Sequence, residues 1–224
     1  MSFVIILLGP PGSGKGTHAA LLSETLQIPH ISTGDLFRLH IRNRTSIGSV
    51  AKELIDQGKL VPDDVVVKMV NSRIQDKDCA RGFVLDGFPR TVPQAKTFAQ
   101  QLSKDTSLIA VQLVIDDAVL VERITGRLVC AQCAKPYHQR FSPPATVGRC
   151  DACQGALYQR DDDSEAVLRL RLATYHVETK PVIDYYRDQK LLVELNAERS
   201  KEAIFQDLLQ HCPFAPEPAV NLSR

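Results

Sequence analysis

The stretch FVIILLGPPGSGKGT at residues 3–17 determines the fold of this chain. Its first six residues are apolar on both faces, which is typical of a strand buried inside a parallel sheet. The glycine-rich segment at 9–15 fits the phosphate-binding pattern GxxxxGK, and residues 18–26 carry apolar side chains at helical spacing. A strand, a glycine-rich loop and a helix in this order predict a P-loop core.

The chemistry of this loop suits an anionic ligand. Its glycines let backbone amides turn inward around a phosphate, and the N-terminus of the following helix adds partial positive charge. The alternative, a glycine-rich turn without a ligand, is disfavoured by the flanking strand and helix. Where the general motif has Ser or Thr directly after the lysine, this chain has a glycine and then a threonine. The candidate binding residues are Gly12, Ser13, Gly14, Lys15, Gly16 and Thr17.

Beyond the loop, strand-like apolar runs alternate with helical patterns. This alternation predicts an α/β fold with a central parallel sheet flanked by helices on both faces. Ligands of such folds bind at the carboxyl ends of the strands, where the loop and Asp86 both fall. Glycines and a proline divide residues 35–75 into several short helices. Strands are predicted at 29–32, 83–86, 109–115 and 191–195, and later helices at 94–102, 117–125, from 164 and at 201–210.

Composition and charge exclude several function classes. The net charge is +1, so there is no basic excess to attract nucleic acid. No apolar run approaches the roughly 20 residues that span a bilayer, and the N-terminus lacks the features of a signal peptide. We therefore expect a cytoplasmic protein with no membrane and no nucleic acid partner. The Pro- and Ala-rich tail from Cys212 is expected to be loosely held.

The cysteines predict a metal site. Four of the six form two CxxC pairs sixteen residues apart, and each pair can present two thiolates from one tight turn. A four-thiolate zinc site has no open position, which indicates a structural role. Two disulfides or a redox pair are the alternatives, and a reducing compartment disfavours the disulfides. Cys79 and Cys212 are expected to be free thiols. The predicted ligands are Cys130, Cys133, Cys150 and Cys153.

Residues 127–163, which contain these pairs, form a candidate inserted module. A segment of fewer than 40 residues buries too little apolar surface to be stable alone, so a metal would supply the missing core. His138 is a further potential ligand that the complete cysteine set makes unnecessary. A nucleic-acid-binding zinc ribbon is the alternative hypothesis. Five Lys and Arg against four Asp in this segment give no basic stripe, which argues against it.

Four motifs in order along the chain resemble the adenylate kinases. They are GPPGSGKGT at 9–17, STGDLFR at 32–38, DGFPRT at 86–91 and GRLVC at 126–130. The glycine between Lys15 and Thr17 is that family's own variant, and DGFPRT is far more specific than the loop. The resemblance runs from Phe3 to about residue 210. It implies the P-loop nucleotide kinase fold and reversible, magnesium-dependent transfer of a phosphoryl group from ATP to AMP, giving two ADP and maintaining adenine nucleotide balance.

The resemblance also implies a division into three parts and a monomeric enzyme. A core at 1–31, 62–126 and 164–224 would bind ATP, an arm at 32–61 would bind AMP, and 127–163 would be the lid. The cysteines match the long-lid form of the family that holds zinc. Donor preference would depend on backbone contacts near residues 196–199.

By the same resemblance, the ligand roles fall on particular residues. ATP would contact the phosphate loop with Arg123 and Arg127, and Asp86 would orient magnesium through water. The catalytic cations would be Lys15, Arg90, Arg123, Arg127, Arg160 and Arg171. AMP would be bound by Thr33, Arg38, Lys59, Leu60, Val61, Gly87, Arg90, Gln94, Arg160 and Arg171.

These residues also make chemical sense without the resemblance. Phosphoryl transfer needs positioning and charge neutralisation, and arginine offers two parallel donors to a phosphate. Arg123 and Arg127 would share a helix face if their helix extended that far. Bland alternatives remain open: Arg38 and Arg171 as solvated surface residues, Thr33 as a helix cap, Gln94 as a surface residue and Asp86 as a turn residue. Residues 161–163 are interpreted either as a lid hinge or as a solvated acidic turn capping the next helix.

Three other functions compete with this one. A close relative could use GTP as donor, or UMP or CMP as acceptor, although Thr33 and Gln94 favour adenine. A P-loop switch or ATPase acting on a protein is the third, and it would leave the arginines and DGFPRT unexplained.

Overall fold

The computed structural model describes residues 2–212, and the secondary structure alternates as the sequence predicts. The strands of this part are β1 (Phe3–Leu8), β2 (His30–Ser32), β3 (Gly82–Asp86), β4 (Ser107–Val114), β5 (Arg127–Cys130), β6 (Pro136–His138), β7 (Leu157–Tyr158) and β8 (Leu192–Asn196). Its α-helices are α1 (Lys15–Leu26), α2 (Thr33–Arg42), α3 (Ser46–Asp56), α4 (Asp63–Ile74), α5 (Val92–Ala99), α6 (Asp117–Thr125), α7 (Glu165–Thr174), α8 (Lys180–Asp188) and α9 (Lys201–Gln210).

Five strands form one parallel sheet in the order β2–β3–β1–β4–β8. The central strand β1 is buried along its whole length, which confirms the prediction made from its continuous apolar run. Its alternate side chains enter two different cores, because neighbouring residues of a strand point to opposite faces. Ile6 packs in one core with Phe88 and Phe98, and Ile5 packs in the other with Leu22 of α1.

The remaining three strands make a small antiparallel sheet, β6–β5–β7, inside the 127–163 segment. Helix α7 follows this segment and continues into α8 through a π-helical turn at Tyr175–Thr179. Across residues 2–212, none of the helices combines the length and apolarity needed to cross a membrane. Cys79 and Cys212 are free and buried, as expected for the thiols outside the CxxC pairs.

Two local expectations differ from the structure. Ser32, rather than Thr33, caps α2, because the Ser32 hydroxyl accepts a hydrogen bond from the backbone N–H of Asp35. Helix α6 ends at Thr125, so Arg123 lies on a helix and Arg127 begins strand β5. The two arginines therefore do not share a helix face. The prediction for the tail concerns residues that lie outside the described part, except Cys212, which is buried.

Candidate active site

The carboxyl end of the sheet gathers the candidate residues, as the topology predicts. The phosphate loop leaves β1 and enters α1, and Asp86 ends the neighbouring strand β3. Gly14, the N-cap of α1, has φ of 99°, a left-handed conformation that favours glycine. Because the loop turns directly into the helix, the free amides of the first helical turn line this end of the sheet.

Lys15 follows the loop as the first residue of helix α1, and its side chain folds back onto the loop. Its Nζ donates to the carbonyl oxygens of Gly9 at 2.8 Å and Pro10 at 2.9 Å. Burial lowers the pKa of Lys15 to about 8; the negative charge of Asp86 opposes this shift and the nearby Arg90 adds to it. The side chain is thus a cation close to its titration range, surrounded by other cations.

Asp86 faces Lys15 across the cleft. Burial alone would raise the pKa of this carboxyl, but His30, with Nε2 3.6 Å from Oδ2, and the charges of Lys15 and Arg90 lower it to about 2. Asp86 is therefore ionised at neutral pH. A Cβ at Gly16 would lie 3.3 Å from the same Oδ2, which gives a steric reason for glycine where the general motif has Ser or Thr.

The DGFPRT turn leads from strand β3 to helix α5 and contacts Thr33, the first residue of α2. The Gly87 carbonyl accepts hydrogen bonds from Thr33 Oγ1 and from Arg90 Nε, both at 2.8 Å. Gly87 has φ of 78°, and a Cβ there would approach Thr33 Oγ1 to 2.8 Å. A side chain at position 87 would therefore push apart the two residues that the turn brings together. Burial lowers the pKa of Arg90, against the attraction of Asp86.

Gln94 is fully buried, with both ends of its amide engaged. Its Oε1 accepts from the backbone N–H of Arg90 at 2.8 Å, and its Nε2 donates to Asp63 Oδ1 at 2.7 Å. Thr91 donates to the other oxygen of Asp63. The surface alternative for Gln94 is wrong, since the side chain is 1% exposed. Asp63, which holds this group together, was not singled out from the sequence; its only signal was an acidic residue in the first turn of α4.

Four further arginines surround the cleft, each half-buried and paired with an aspartate. Arg38 and Arg160 share Asp35, at 2.6 Å and 3.4 Å. The remaining pairs are Arg171 with Asp162, at 2.8 Å, and Arg127 with Asp163. Arg171 and its partner Asp162 are largely buried, so Arg171 is not a solvated surface residue, whereas the pair of Arg38 and Asp35 is partly exposed. Sequence reasoning missed Asp35 as a charge partner, although it lies inside the STGDLFR motif.

The pKa shifts reflect this crowding of like charges. Burial, with Arg38 and Arg127 nearby, lowers the pKa of Arg160 to about 10. Burial lowers that of Arg171 to about 10 as well, against the attraction of Asp162. Among the described residues, Arg160 Nε is buried without a hydrogen-bond partner. An unpaired buried donor is unfavourable unless a ligand supplies an acceptor.

Two of the three aspartates in the segment 161–163 pair with arginines, so the segment is not simply a solvated turn that caps helix α7. Ser164, not an aspartate, caps α7, because its hydroxyl accepts from the N–H of Val167. The Asp163 side chain is fully buried against Arg127. Burial would raise the pKa of Asp162, but Arg171 and the neighbouring arginines lower it.

Two predicted regions lie at the edges of this group. Arg123 donates from Nη2 to the carbonyl of Ala197 at 2.9 Å, so it contacts the segment predicted to receive the donor base. Residues 59–61 link α3 to α4, and Val61 is buried. The Gly58 carbonyl just before them accepts from Thr174 Oγ1 of α7 at 2.9 Å.

The four predicted zinc ligands form a compact cluster. Their sulfur atoms all lie within 4.8 Å of one another, with Cys130 and Cys153 3.4 Å apart and Cys133 and Cys150 3.6 Å apart. Zn–S bonds of about 2.3 Å in a tetrahedron place neighbouring sulfurs about 3.8 Å apart, so the arrangement fits a zinc ion. The sulfurs are free thiols, which excludes the alternative of two disulfides in this structure.

The two CxxC turns share one local geometry. The N–H of Ala134 donates to the Cys130 carbonyl, and the N–H of Gln154 donates to the Cys150 carbonyl. The Tyr137 hydroxyl contacts Cys150 Sγ at 3.4 Å and lowers the pKa of that thiol to about 6. These turns present four sulfurs to one point, as two zinc knuckles do.

Comparisons with known proteins agree with this geometry. A family model described as adenylate kinase matches residues 7–191. The chain is 46% identical over 207 residues to an adenylate kinase of Clostridium botulinum, covering 91% of this chain and 95% of the relative. It is 46% identical to one from Clostridium tetani and 47% to one from Desulfitobacterium hafniense, at the same coverage. With its phosphate loop, its DGFPRT turn and these relatives, the chain belongs to the adenylate kinase family.

Proposed function

We propose that this chain catalyses reversible transfer of the terminal phosphoryl group of magnesium-bound ATP to AMP, giving two ADP. The observation that carries the proposal is the convergence of Lys15, Arg90 and Arg171 beside the ionised Asp86 at the carboxyl end of the sheet. We further propose that it acts as a cytoplasmic monomer that balances adenine nucleotides.

On the donor side, the amides of residues 12–17 surround the ATP phosphates. Lys15 exchanges its two loop carbonyls for the outer phosphate oxygens, which are stronger acceptors because they are charged. Magnesium supplies neutralisation of the phosphate charge, and Asp86 and Thr17 are the residues that would hold it, Asp86 through water. Arg123 and Arg127 complete the donor site from α6 and β5.

On the acceptor side, the AMP phosphate meets Arg38 and Arg90. Thr33, Gly87 and the backbone of 59–61 form the pocket around the nucleoside. Since both ends of its amide are already bonded, Gln94 acts at least in part by holding the Arg90 backbone in place. The AMP phosphate is itself an anionic nucleophile, so the transfer proceeds without a general base.

The arginine–aspartate pairs give these residues a second role. In the absence of phosphate, Asp35, Asp162 and Asp163 satisfy guanidinium groups that would otherwise repel one another. Bound phosphates offer charged acceptors in the same cleft, so Arg160 and Arg171 move from aspartate to the phosphoryl group in transfer. Their donors then neutralise charge that spreads over its oxygens in the transition state.

We propose that residues 127–163 form a lid held together by structural zinc. The four sulfur positions support this, and zinc supplies the stability that so small a module lacks. The lid brings Arg127 and Arg160 to the cleft and excludes water, which would compete with AMP for the phosphoryl group.

A nucleotide panel tests the function. Folded, metal-loaded protein is mixed with magnesium-ATP and separately with AMP, GMP, CMP or UMP, and diphosphate formation is followed; AMP is repeated with GTP as donor. We expect fast ADP formation with ATP and AMP alone. Turnover of AMP only with GTP would change the donor but keep the site. Absence of transfer to every monophosphate would contradict the proposal.

A further inference from the structure

The lid is attached to the end of helix α6 through hydrogen bonds that the sequence does not reveal. The last carbonyl groups of a helix have no partners within it. Here the lid provides donors: the N–H of Gln139 bonds the Gly126 carbonyl and Gln159 Nε2 bonds the Thr125 carbonyl, both at 2.8 Å. The third contact comes from His138, whose Nε2 lies 3.1 Å from the carbonyl oxygen of Glu122, and this oxygen also accepts the backbone N–H of Gly126 at 3.2 Å.

The tautomer of His138 follows from its other nitrogen. Nδ1 accepts from the backbone N–H groups of Arg140 and Phe141, each at 3.0 Å, and a nitrogen that accepts carries no hydrogen. Nε2 therefore carries the ring hydrogen and donates it to Glu122. Phe141 stacks beside the imidazole with ring centroids 4.4 Å apart, and Arg140 pairs with the Glu122 carboxylate.

The imidazole also packs directly on the connection between helix and lid. A Cβ on Gly126 would lie 2.4 Å from Cε1 of His138, so only a glycine allows the ring to reach this place. Glu122 and Gly126, the two residues that the ring contacts, immediately precede Arg123 and Arg127. The ring thus touches the residue before each of the two donor-side arginines.

We propose that His138 is a positioning residue for the donor nucleotide. It acts as a joint between strand β6 and the end of α6, and it fixes the relative position of Arg123, which contacts the core at Ala197, and Arg127, which contacts the lid at Asp163. This inference rests on the proposed function, in which both arginines bind ATP. Apart from Arg160, the acceptor residues lie outside residues 127–163, so the joint acts on ATP more than on AMP.

Three substitutions separate the roles of the two ring nitrogens, Nε2 toward Glu122 and Nδ1 toward the two amides. His138→Asn can keep an acceptor near the place of Nδ1 but cannot reach Glu122. His138→Gln can reach the Glu122 carbonyl but loses the acceptor for the two amides, and His138→Ala loses both. The matched control is His211→Asn, an exposed histidine after α9.

Initial rates at varied ATP and varied AMP give the first test. We expect His138→Ala to raise the KM for ATP about fivefold to tenfold, as for loss of one to two hydrogen bonds. The Asn and Gln variants should show smaller increases, while the KM for AMP and the kcat stay within about twofold of wild type. A KM for ATP that is unchanged in all three variants, or an equal rise in both KM values, would overturn the proposal.

Nitrogen NMR of histidine-labelled, metal-loaded enzyme gives a second test that does not depend on turnover. We expect His138 in the Nε2–H tautomer, and resonances of the Arg140 and Phe141 amides that shift in His138→Gln but less in His138→Asn. The Nδ1–H tautomer would contradict the joint. Wild-type enzyme that transfers no phosphoryl group would instead contradict the proposed function, whatever the tautomer.

Discussion

The core and the lid of this molecule differ in how their folded structures are stabilised. The core surrounds a strand that is buried along its whole length, with large side chains such as Leu22 and Phe98 filling both faces of the sheet. The buried cluster of the lid consists of Cys130, Tyr137 and Cys150. Apolar area is enough for the core, whereas we propose that a metal ion bound by the four cysteines stabilises the lid.

This difference suits the work of each region. The phosphate loop has to stay rigid, since its amides are useful only if they already point at the phosphate. In the proposed function the lid opens and closes, so it cannot be stabilised by extensive packing against the core. A metal site stabilises a small unit from within and leaves its outer contacts few. In the proposed function, the metal-bound lid would therefore move as one body.

Of the changes that test this difference between lid and core, metal removal should have the largest effect. Structural zinc contributes on the order of 10 kcal/mol of apparent binding free energy in small domains, and the lid has little else. Stripping the metal, or substituting Cys150→Ser, should unfold the lid and abolish transfer while the core keeps its own unfolding transition. Calorimetry with metal analysis measures this, and Cys212→Ser is the control that should retain the metal. Identical unfolding curves with and without metal would count against it.

A cavity in the core should destabilise the core and leave the lid intact, the reverse of metal removal. Leu22→Ala removes a fully buried side chain behind the phosphate loop and should lower the free energy of unfolding by about 2–5 kcal/mol. Metal content should not change. Urea unfolding measures the loss, and Val147→Ala, at a lid side chain that is 95% exposed, should have almost no effect. Loss of the lid metal in Leu22→Ala would show that the two regions are not independent.

The smallest expected effect is the dependence of kcat/KM for ATP on pH. Burial lowers the pKa of Lys15 to about 8, so in the free enzyme its positive charge is lost as the pH rises through that value. The kcat/KM for ATP should therefore fall about tenfold per unit above pH 8, whereas kcat, which reports the complex where phosphates keep Lys15 charged, should stay flat to higher pH. In Lys15→Arg the alkaline decline should disappear. A decline that persists in that variant would assign it to another group.

Local patterns predicted much of this architecture. Residues 3–17 were sufficient to predict β1, the phosphate loop and the start of α1, because these elements depend on residues that are adjacent in the chain. The cysteine spacing likewise predicted a cluster whose sulfurs the structure brings together. The phosphate loop depends on residues close together in the chain. The two CxxC pairs are a combination of metal-ligating residues that few other structures explain.

Contacts between distant residues could not be predicted in this way. Asp35 and Arg160 are 125 positions apart, and their pairing depends on how the arm meets the end of the lid. The full engagement of Gln94 needed Asp63 from another helix. The end of α6 at Thr125 separates Arg123 from Arg127, and whether a helix continues by one more turn is weakly encoded when a glycine follows.

The most direct test of the account measures ADP formation by Arg90→Met beside Arg169→Met. Arg90 belongs to the DGFPRT turn, whereas Arg169 forms an exposed pair with Glu165 on the same helix as Arg171. We predict a fall in kcat/KM of about 10²–10³ for the first variant, with its fold intact by circular dichroism, and wild-type activity for the second. Arg90→Lys, which keeps the charge without the fork, should recover only part of the rate. Wild-type turnover by folded Arg90→Met would contradict phosphoryl transfer at this site.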